Sequence, residues 1–157
     1  MELSASLRTS ATVDAVLGYV RDLERYTEWM PLVHSAALES GSEPAAWSVE
    51  LRARVGPFAR SKRLRMVRTV MDVGGAAAPA RIVFERRELD GRAHAQWRLS
   101  VVVSPTSGGT KPPLSSGGTE LTMHLSYDGR FFASVVESIL RQQVDEGRER
   151  LAALLAA

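Results

Sequence analysis

The chain has 157 residues, 45% hydrophobic and 24% charged, a length that suits one domain able to bury a core without staples. It contains no cysteine, which excludes disulfides, thiolate nucleophiles, iron–sulfur clusters and cysteine-based zinc sites. Lys and Arg number 20 against 18 Asp and Glu, a net charge of +2; the pI of about 9.4 therefore overstates the field a polyanion would feel, and nucleic acid is not an expected partner.

Residues 2–10 mix apolar and hydroxyl side chains and read as a first strand. Val13, Val16, Leu17, Val20 and Leu23 then fall on one face of an amphipathic helix. Ser10 or Thr12 is placed to cap it, and Asp14 sits in its first turn, where the helix dipole favours negative charge. Tyr26 to Met30 has room for one more helical turn before Pro31 stops it.

The middle of the chain reads as strands. Trp47, Val49, Leu51, Ala53 and Val55 alternate with polar residues. Gly56-Pro57 is a turn, and residues 61–73 carry Leu64, Met66, Val70 and Met71 among basic residues. Arg81 to Arg87 centre on Ile82 and Phe84, His94 to Val103 alternate, and Leu121, Met123, Leu125 and Tyr127 repeat the pattern. Turn signals at Ser40-Gly41, Gly74-Gly75 and Asp90-Gly91 separate the runs, as in an antiparallel meander. Of the fourteen residues from Pro105 to Gly118, twelve are Ser, Thr, Gly or Pro, a composition expected to make a flexible loop between the last two strands.

After Asp128-Gly129 the period becomes helical again. Phe132, Val135, Val136, Ile139, Leu140, Val144, Leu151 and Leu155 form one stripe of a helix long enough to cross a whole sheet. Gly147 is a weak point within it, at about 1 kcal/mol relative to Ala if exposed.

This order is a strand, two short helices, five or six antiparallel strands and a long C-terminal helix. It resembles the α+β helix-grip fold of the START-like superfamily, which includes polyketide cyclase/dehydrase proteins, lipid-transfer domains and plant pollen allergens. The segment Ala11-Thr12-Val13-Asp14-Ala15-Val16, followed by Tyr26-Thr27-Glu28-Trp29-Met30-Pro31, looks like that family's first helix and aromatic-x-x-Trp-x-Pro segment. Val55-Gly56-Pro57-Phe58 before a basic strand is similar to bacterial members, including those of the carbon monoxide dehydrogenase-associated type. The resemblance covers nearly the whole chain and implies one domain, residues 1–157, in which a curved sheet grips the last helix around an apolar cavity.

The strand phases give an inward set of Val49, Leu51, Leu64, Met66, Ile82, Phe84, Trp97, Leu99, Met123, Leu125 and Tyr127, to which the helix adds Val136, Ile139, Leu140 and Gln143. Such a list suits a pocket for a lipid, a quinone or a polyketide-like aromatic. It equally describes a filled core. His94 and His124 fall on polar phases and are expected on the outer face, as neighbours if their strands pair. His34 follows the Trp29-Met30-Pro31 turn and is expected at the cavity rim. Glu50 and Glu120 point outward, and Glu85 is expected in a surface ion pair with Arg86-Arg87. No metal-ligand spacing, phosphate loop, nucleophile elbow or cofactor motif is present in the sequence.

Three functions remain open at this point. The first is binding or transport of a hydrophobic small molecule. The second is a cyclase/dehydrase-type enzyme in which His34, Tyr127 and Gln143 would act as proton shuttle, hydrogen-bond donor and orienting group. The third is an assembly factor docking through the basic cluster. That cluster runs from Arg52 to Arg68 without an acid, and Arg52, Arg54, Lys62, Arg63 and Arg65 are expected to tile one outer face suited to an anionic membrane or an acidic protein. A cytoplasmic location is expected from an N-terminus without a signal-peptide pattern, as a monomer or homodimer.

Overall fold

The computed structural model describes residues 1–75, 78–106, 118–129 and 133–157. Strand β1 (Glu2–Thr9) leads into α1 (Val13–Val20) and a 3₁₀ segment (Leu23–Glu28), then β2 (Val33–Leu38), β3 (Ala46–Val55), β4 (Phe58–Asp72), β5 (Ala80–Arg86), β6 (Trp97–Pro105), β7 (Thr119–Tyr127) and α2 (Ala133–Ala156). The seven strands form one antiparallel sheet in the order β1-β7-β6-β5-β4-β3-β2. β1 and β2 are thus opposite edges, and α1 with the 3₁₀ segment carries the chain from one edge to the other. α2 packs on β1 and reaches β3. This is the helix-grip arrangement. Among the described residues no helix is long and apolar enough to cross a membrane.

Local chemistry sets these boundaries. The Thr12 side chain accepts a hydrogen bond from the Ala15 N–H at 3.1 Å, capping α1. Gly56 takes φ +60° at the first position of the two-residue turn between β3 and β4, where a right-twisted hairpin demands positive φ. Of the Pro105–Gly118 segment, residues 107–117 lie outside the described residues; at its base the Thr106 N–H donates to the Gly118 carbonyl at 2.9 Å.

β2 has no counterpart in the sequence pattern. Its burial does not alternate, because it is an edge strand with Val33 and Ala36 half-buried and its other positions exposed. β6 begins at Trp97 rather than His94. In β4 the pairing shifts between Arg68 and Val70, so the inward phase passes from Leu64 and Met66 to Met71. That bulge explains why a single alternation does not run through residues 61–73.

On α2, Leu140, Val144, Gly147, Leu151 and Leu155 share the stripe that faces the sheet, and Leu151 is fully buried. Gly147 is buried as well, so it is not an exposed weak point. A Cβ there would lie 3.0 Å from the Met30 Sδ and Cε and 3.3 Å from the Trp29 carbonyl oxygen. Glycine lets the helix close down on the Trp29-Met30 turn. Gly147→Leu should therefore cost about 2 kcal/mol by overpacking, read as a lower urea midpoint with unchanged slope, whereas an exposed helical position would gain stability from leucine.

Candidate functional site

The 3₁₀ segment builds one wall from aromatic rings. Tyr26 lies 4.7 Å from Trp29 and meets Phe84 edge-on at 6.0 Å, and Phe84 in turn meets Trp47 edge-on at 5.7 Å (ring centroids). Each polar edge of this cluster has a partner. The Tyr26 hydroxyl donates to the Val20 carbonyl at 2.9 Å, the Trp29 indole N–H to the Tyr19 carbonyl at 3.1 Å, and the Trp47 indole N–H to Glu24 at 2.9 Å. Burial, reinforced by the negative charge of Asp22, pushes the Tyr26 phenol far above its ordinary value, so it stays protonated and is no general base. Arg68 lies 5.4 Å over the Trp47 ring and pairs with Asp22 at 2.8 Å.

Between this wall, the sheet and α2 is a cavity of about 80 Å³. At roughly 10–15 Å³ for each enclosed water it would hold about five to eight, the bulk of a one- or two-ring molecule. Its lining is Leu3 and Ala5 from β1, Leu23, Tyr26, Met30 and Leu32 from the crossing segment, Val33, Val49, Leu51, Leu64 and Met66 from β2 to β4, Trp97, Leu99, Met123 and Leu125 from β6 and β7, and Val144 from α2. Trp97 also borders a wider, solvent-open and more polar depression formed with Met1, Glu2, Glu85, Gln96, Arg98, Ser126, Tyr127 and Asp128.

Beside Met66, its partner across the β4–β5 ladder, Arg86 carries a guanidinium onto the inner face. Only 6% of Arg86 is exposed. Its Nε donates to Glu88 at 2.8 Å and its Nη1 to the Ala95 carbonyl at 3.2 Å, while Nη2 lies 3.4 Å from His94 Nδ1. Glu88 also accepts the Arg65 N–H at 3.0 Å. Burial acts to raise the Glu88 carboxyl, but the hydrogen bonds from Arg65 and Arg86 and the charges of Arg86 and His94 outweigh it and hold it below the ordinary value. A depressed carboxyl stabilises the fold above the unfolded-state value, and this is lost as pH falls through the folded one. Glu88→Gln should thus cost about 2 kcal/mol at pH 7 and progressively less below about pH 4, in urea unfolding followed across pH.

The profile of one protein family, described as polyketide cyclase / dehydrase and lipid transport, matches residues 1–156. The chain belongs to that family. This polyketide cyclase/lipid transport family member is similar in fold to a STAR-related lipid transfer protein fragment from Xanthomonas axonopodis (TM-score 0.68, 12% identity, covering 99% of this chain and 86% of that one). It is also similar to a START superfamily protein from Mycobacterium smegmatis (TM-score 0.62, 14% identity, 99% and 97% covered). A third likeness is to the di-domain ARO/CYC protein BexL of the BE-7585A biosynthetic pathway (TM-score 0.59, 15% identity), of which all of this chain matches 50%. None of the curated proteins compared with it matches.

In this polyketide cyclase/lipid transport family member, Leu51, Leu64, Met66, Trp97, Leu99, Met123 and Leu125 all lie in the cavity wall. Phe84 does not: it is fully buried behind Tyr26, in the aromatic cluster. Tyr127 stacks on Trp97 at 4.5 Å and borders the open depression instead. Ile139, Leu140 and Gln143 are not among the lining residues, where α2 contributes Val144. The Val136 side chain lies outside the described residues.

His34 is turned to the outer face, 3.6 Å from Glu50, because the register shift between Val33 and Ser35 leaves only Val33 facing inward at that point. His94 is on no strand. Its Nε2 lies 2.8 Å from Asp90, whereas His124 pairs with Ser4 at 2.7 Å, so the two are not neighbours. Arg86, expected at the surface beside Glu85, is the buried partner of Glu88, and Glu85 pairs with Arg87 at 3.0 Å. The phase it shares with Ile82 and Phe84 is the signal that could have found it. Among the described residues no three metal-ligating side chains cluster.

The basic cluster does not tile one face. Directly opposed residues of an antiparallel pair share a face, and Lys62 opposes Leu51 and Arg60 opposes Ala53, whereas Arg63 opposes Glu50 and Arg65 opposes Ser48. Lys62, Arg60 and Arg68 therefore stand on the inner side, and Arg52, Arg54, Arg63 and Arg65 on the outer. There Glu50 lies 3.6 Å from both Arg52 and Arg63, and Glu39 pairs with Arg65 at 2.8 Å.

Proposed function

We propose that this protein binds a hydrophobic small molecule of lipid, quinone or aromatic polyketide type in the cavity between the sheet and α2. The observation that carries the reading is an unfilled void walled by apolar side chains from both edges of the sheet, its middle strands and the last helix. A core that served stability alone would be filled, because each void forfeits packing contacts. Binding is favoured over catalysis by the same wall. Its described members include no carboxylate, histidine or lysine, and Tyr26 is locked as a donor to the backbone. The family and the lipid-transfer relative in the structural comparison support the ligand class.

Thermal melts against a panel of fatty acids, naphthoquinones and multi-ring aromatic ketones test this. A ligand at a hundred times its Kd stabilises by about 2.7 kcal/mol, which for a chain of this size raises Tm by roughly 5–10 °C. A panel with no member shifting Tm at millimolar concentration would overturn the proposal.

A further inference from the structure

The chain has three tryptophans. The indole N–H groups of Trp29 and Trp47 are hydrogen-bonded, but that of Trp97 is buried with no partner among the described residues. Trp97 is 7% exposed and belongs to the cavity wall. Buried N–H groups left without an acceptor are rare and costly, and an indole N–H can only donate. The group facing it must therefore accept.

A carboxylate would bring a bare charge into a wall that offers no cation. A hydroxyl would bring a second donor, with the Tyr26 oxygen already committed to the backbone contact. An acceptor-only oxygen satisfies both conditions. Resting on the binding function above, we infer that the ligand is a neutral apolar molecule with a ketone- or quinone-type carbonyl oxygen, which accepts a hydrogen bond from Trp97 Nε1.

Menadione and 2-methylnaphthalene share a two-ring skeleton and differ in the carbonyl oxygens, and a chain without cysteine offers menadione no thiol. In ¹H–¹⁵N spectra of the labelled protein, menadione should move the Trp97 indole proton downfield and 2-methylnaphthalene should not, with Trp29 and Trp47 as internal controls. Trp97→Phe, which assigns the peak, should weaken menadione about tenfold, the upper range for a neutral hydrogen bond, and leave 2-methylnaphthalene within about twofold. Equal peak movement by both compounds, or an unchanged affinity ratio in Trp97→Phe, would overturn the Trp97 assignment alone. Failure of both to bind, with the wider panel also silent, would overturn the cavity reading and this inference with it.

A separate observation concerns the β3–β4 ribbon. β2 pairs with β3 only as far as Leu51, and β5 pairs with β4 only from Met66, so the hairpin around Gly56-Pro57 projects beyond both neighbours. It carries Arg54, Arg60, Lys62 and Arg63 and no acid, and near its tip Phe58 is 64% exposed with Arg60 6.0 Å from its ring. Phe58, Arg60 and Lys62 lie in one row of β4 that continues inward as Leu64 and Met66 of the cavity wall. Burial and the nearby Arg86 charge lower the Lys62 amine, partly countered by Glu88. An aromatic tip behind unopposed cations matches the headgroup region of an anionic bilayer.

We propose that this ribbon docks on anionic lipid surfaces and brings the cavity to them. Co-sedimentation with phosphatidylglycerol/phosphatidylcholine vesicles should retain the protein, with retention falling as salt rises, and pure phosphatidylcholine should not. Each arginine or lysine near such a surface is worth about fivefold in partitioning. Combined replacement of Arg54, Arg60 and Lys62 by serine should then weaken it on the order of 100-fold, and Phe58→Ser should weaken it without lowering Tm. Equal retention on the neutral vesicles, or indifference to Phe58→Ser, would overturn the proposal. No retention on either vesicle would also overturn it and leave the ribbon to a protein partner.

Discussion

Phe84→Ala should destabilise the fold by roughly 3–5 kcal/mol and lower Tm by roughly 10 °C or more, the largest effect expected of any single core truncation here. Phe84 is fully buried, and its ring is the hinge between the Tyr26 and Trp47 edges. Removing it opens a void that neither indole can fill, because Trp29 and Trp47 are tethered by hydrogen bonds to Tyr19 and Glu24. Urea unfolding followed by tryptophan fluorescence measures the loss directly. A cost below about 1 kcal/mol would mean that the aromatic cluster repacks and that the cavity lacks the rigid wall ascribed to it.

Leu99→Trp acts in the opposite direction, on function with little effect on folding. Leu99 lies in the wall between Phe84 on β5 and Leu125 on β7, and an indole in its place occupies much of a cavity of about 80 Å³. Overpacking a full core costs about 1–3 kcal/mol, but here the added atoms have space to enter. Tm should stay within a few degrees, and affinity for an apolar ligand should fall by about 100-fold or more. Leu51→Trp should do the same from β3. Unchanged affinity in both variants would place the ligand elsewhere, with the open depression beside Tyr127 the alternative.

Period-two and period-3.6 patterns made most of the fold legible. The alternation of Trp47, Val49 and Leu51, that of Leu121, Met123 and Leu125, and the stripe on the last helix each correspond to an inward face. What periodicity does not encode is where a strand bends or which strands stand opposite. The bulge between Arg68 and Val70 and the register shift beside His34 each change what faces inward, and they turn His34 outward while Arg86 goes in. The division of the basic cluster between two faces follows from pairing Leu51 with Lys62, a relation between two strands that neither strand shows alone.

The cavity wall was half visible for a similar reason. Its sheet residues share a phase, but Leu23, Tyr26, Met30 and Leu32 come from a 3₁₀ segment and a turn, where side-chain directions follow no long-range period. Core and cavity are built from the same residue types, so only the packing of α2 against Met30 through Gly147, and the space left behind it, separates the two.

Whether the cavity holds a ligand is read by native mass spectrometry of the purified protein, followed by organic extraction. The expected result is a one-to-one adduct of a neutral, carbonyl-bearing apolar molecule that is absent from Leu99→Trp. An apo mass that no member of the lipid, quinone and aromatic panel converts to an adduct would contradict ligand binding in this cavity.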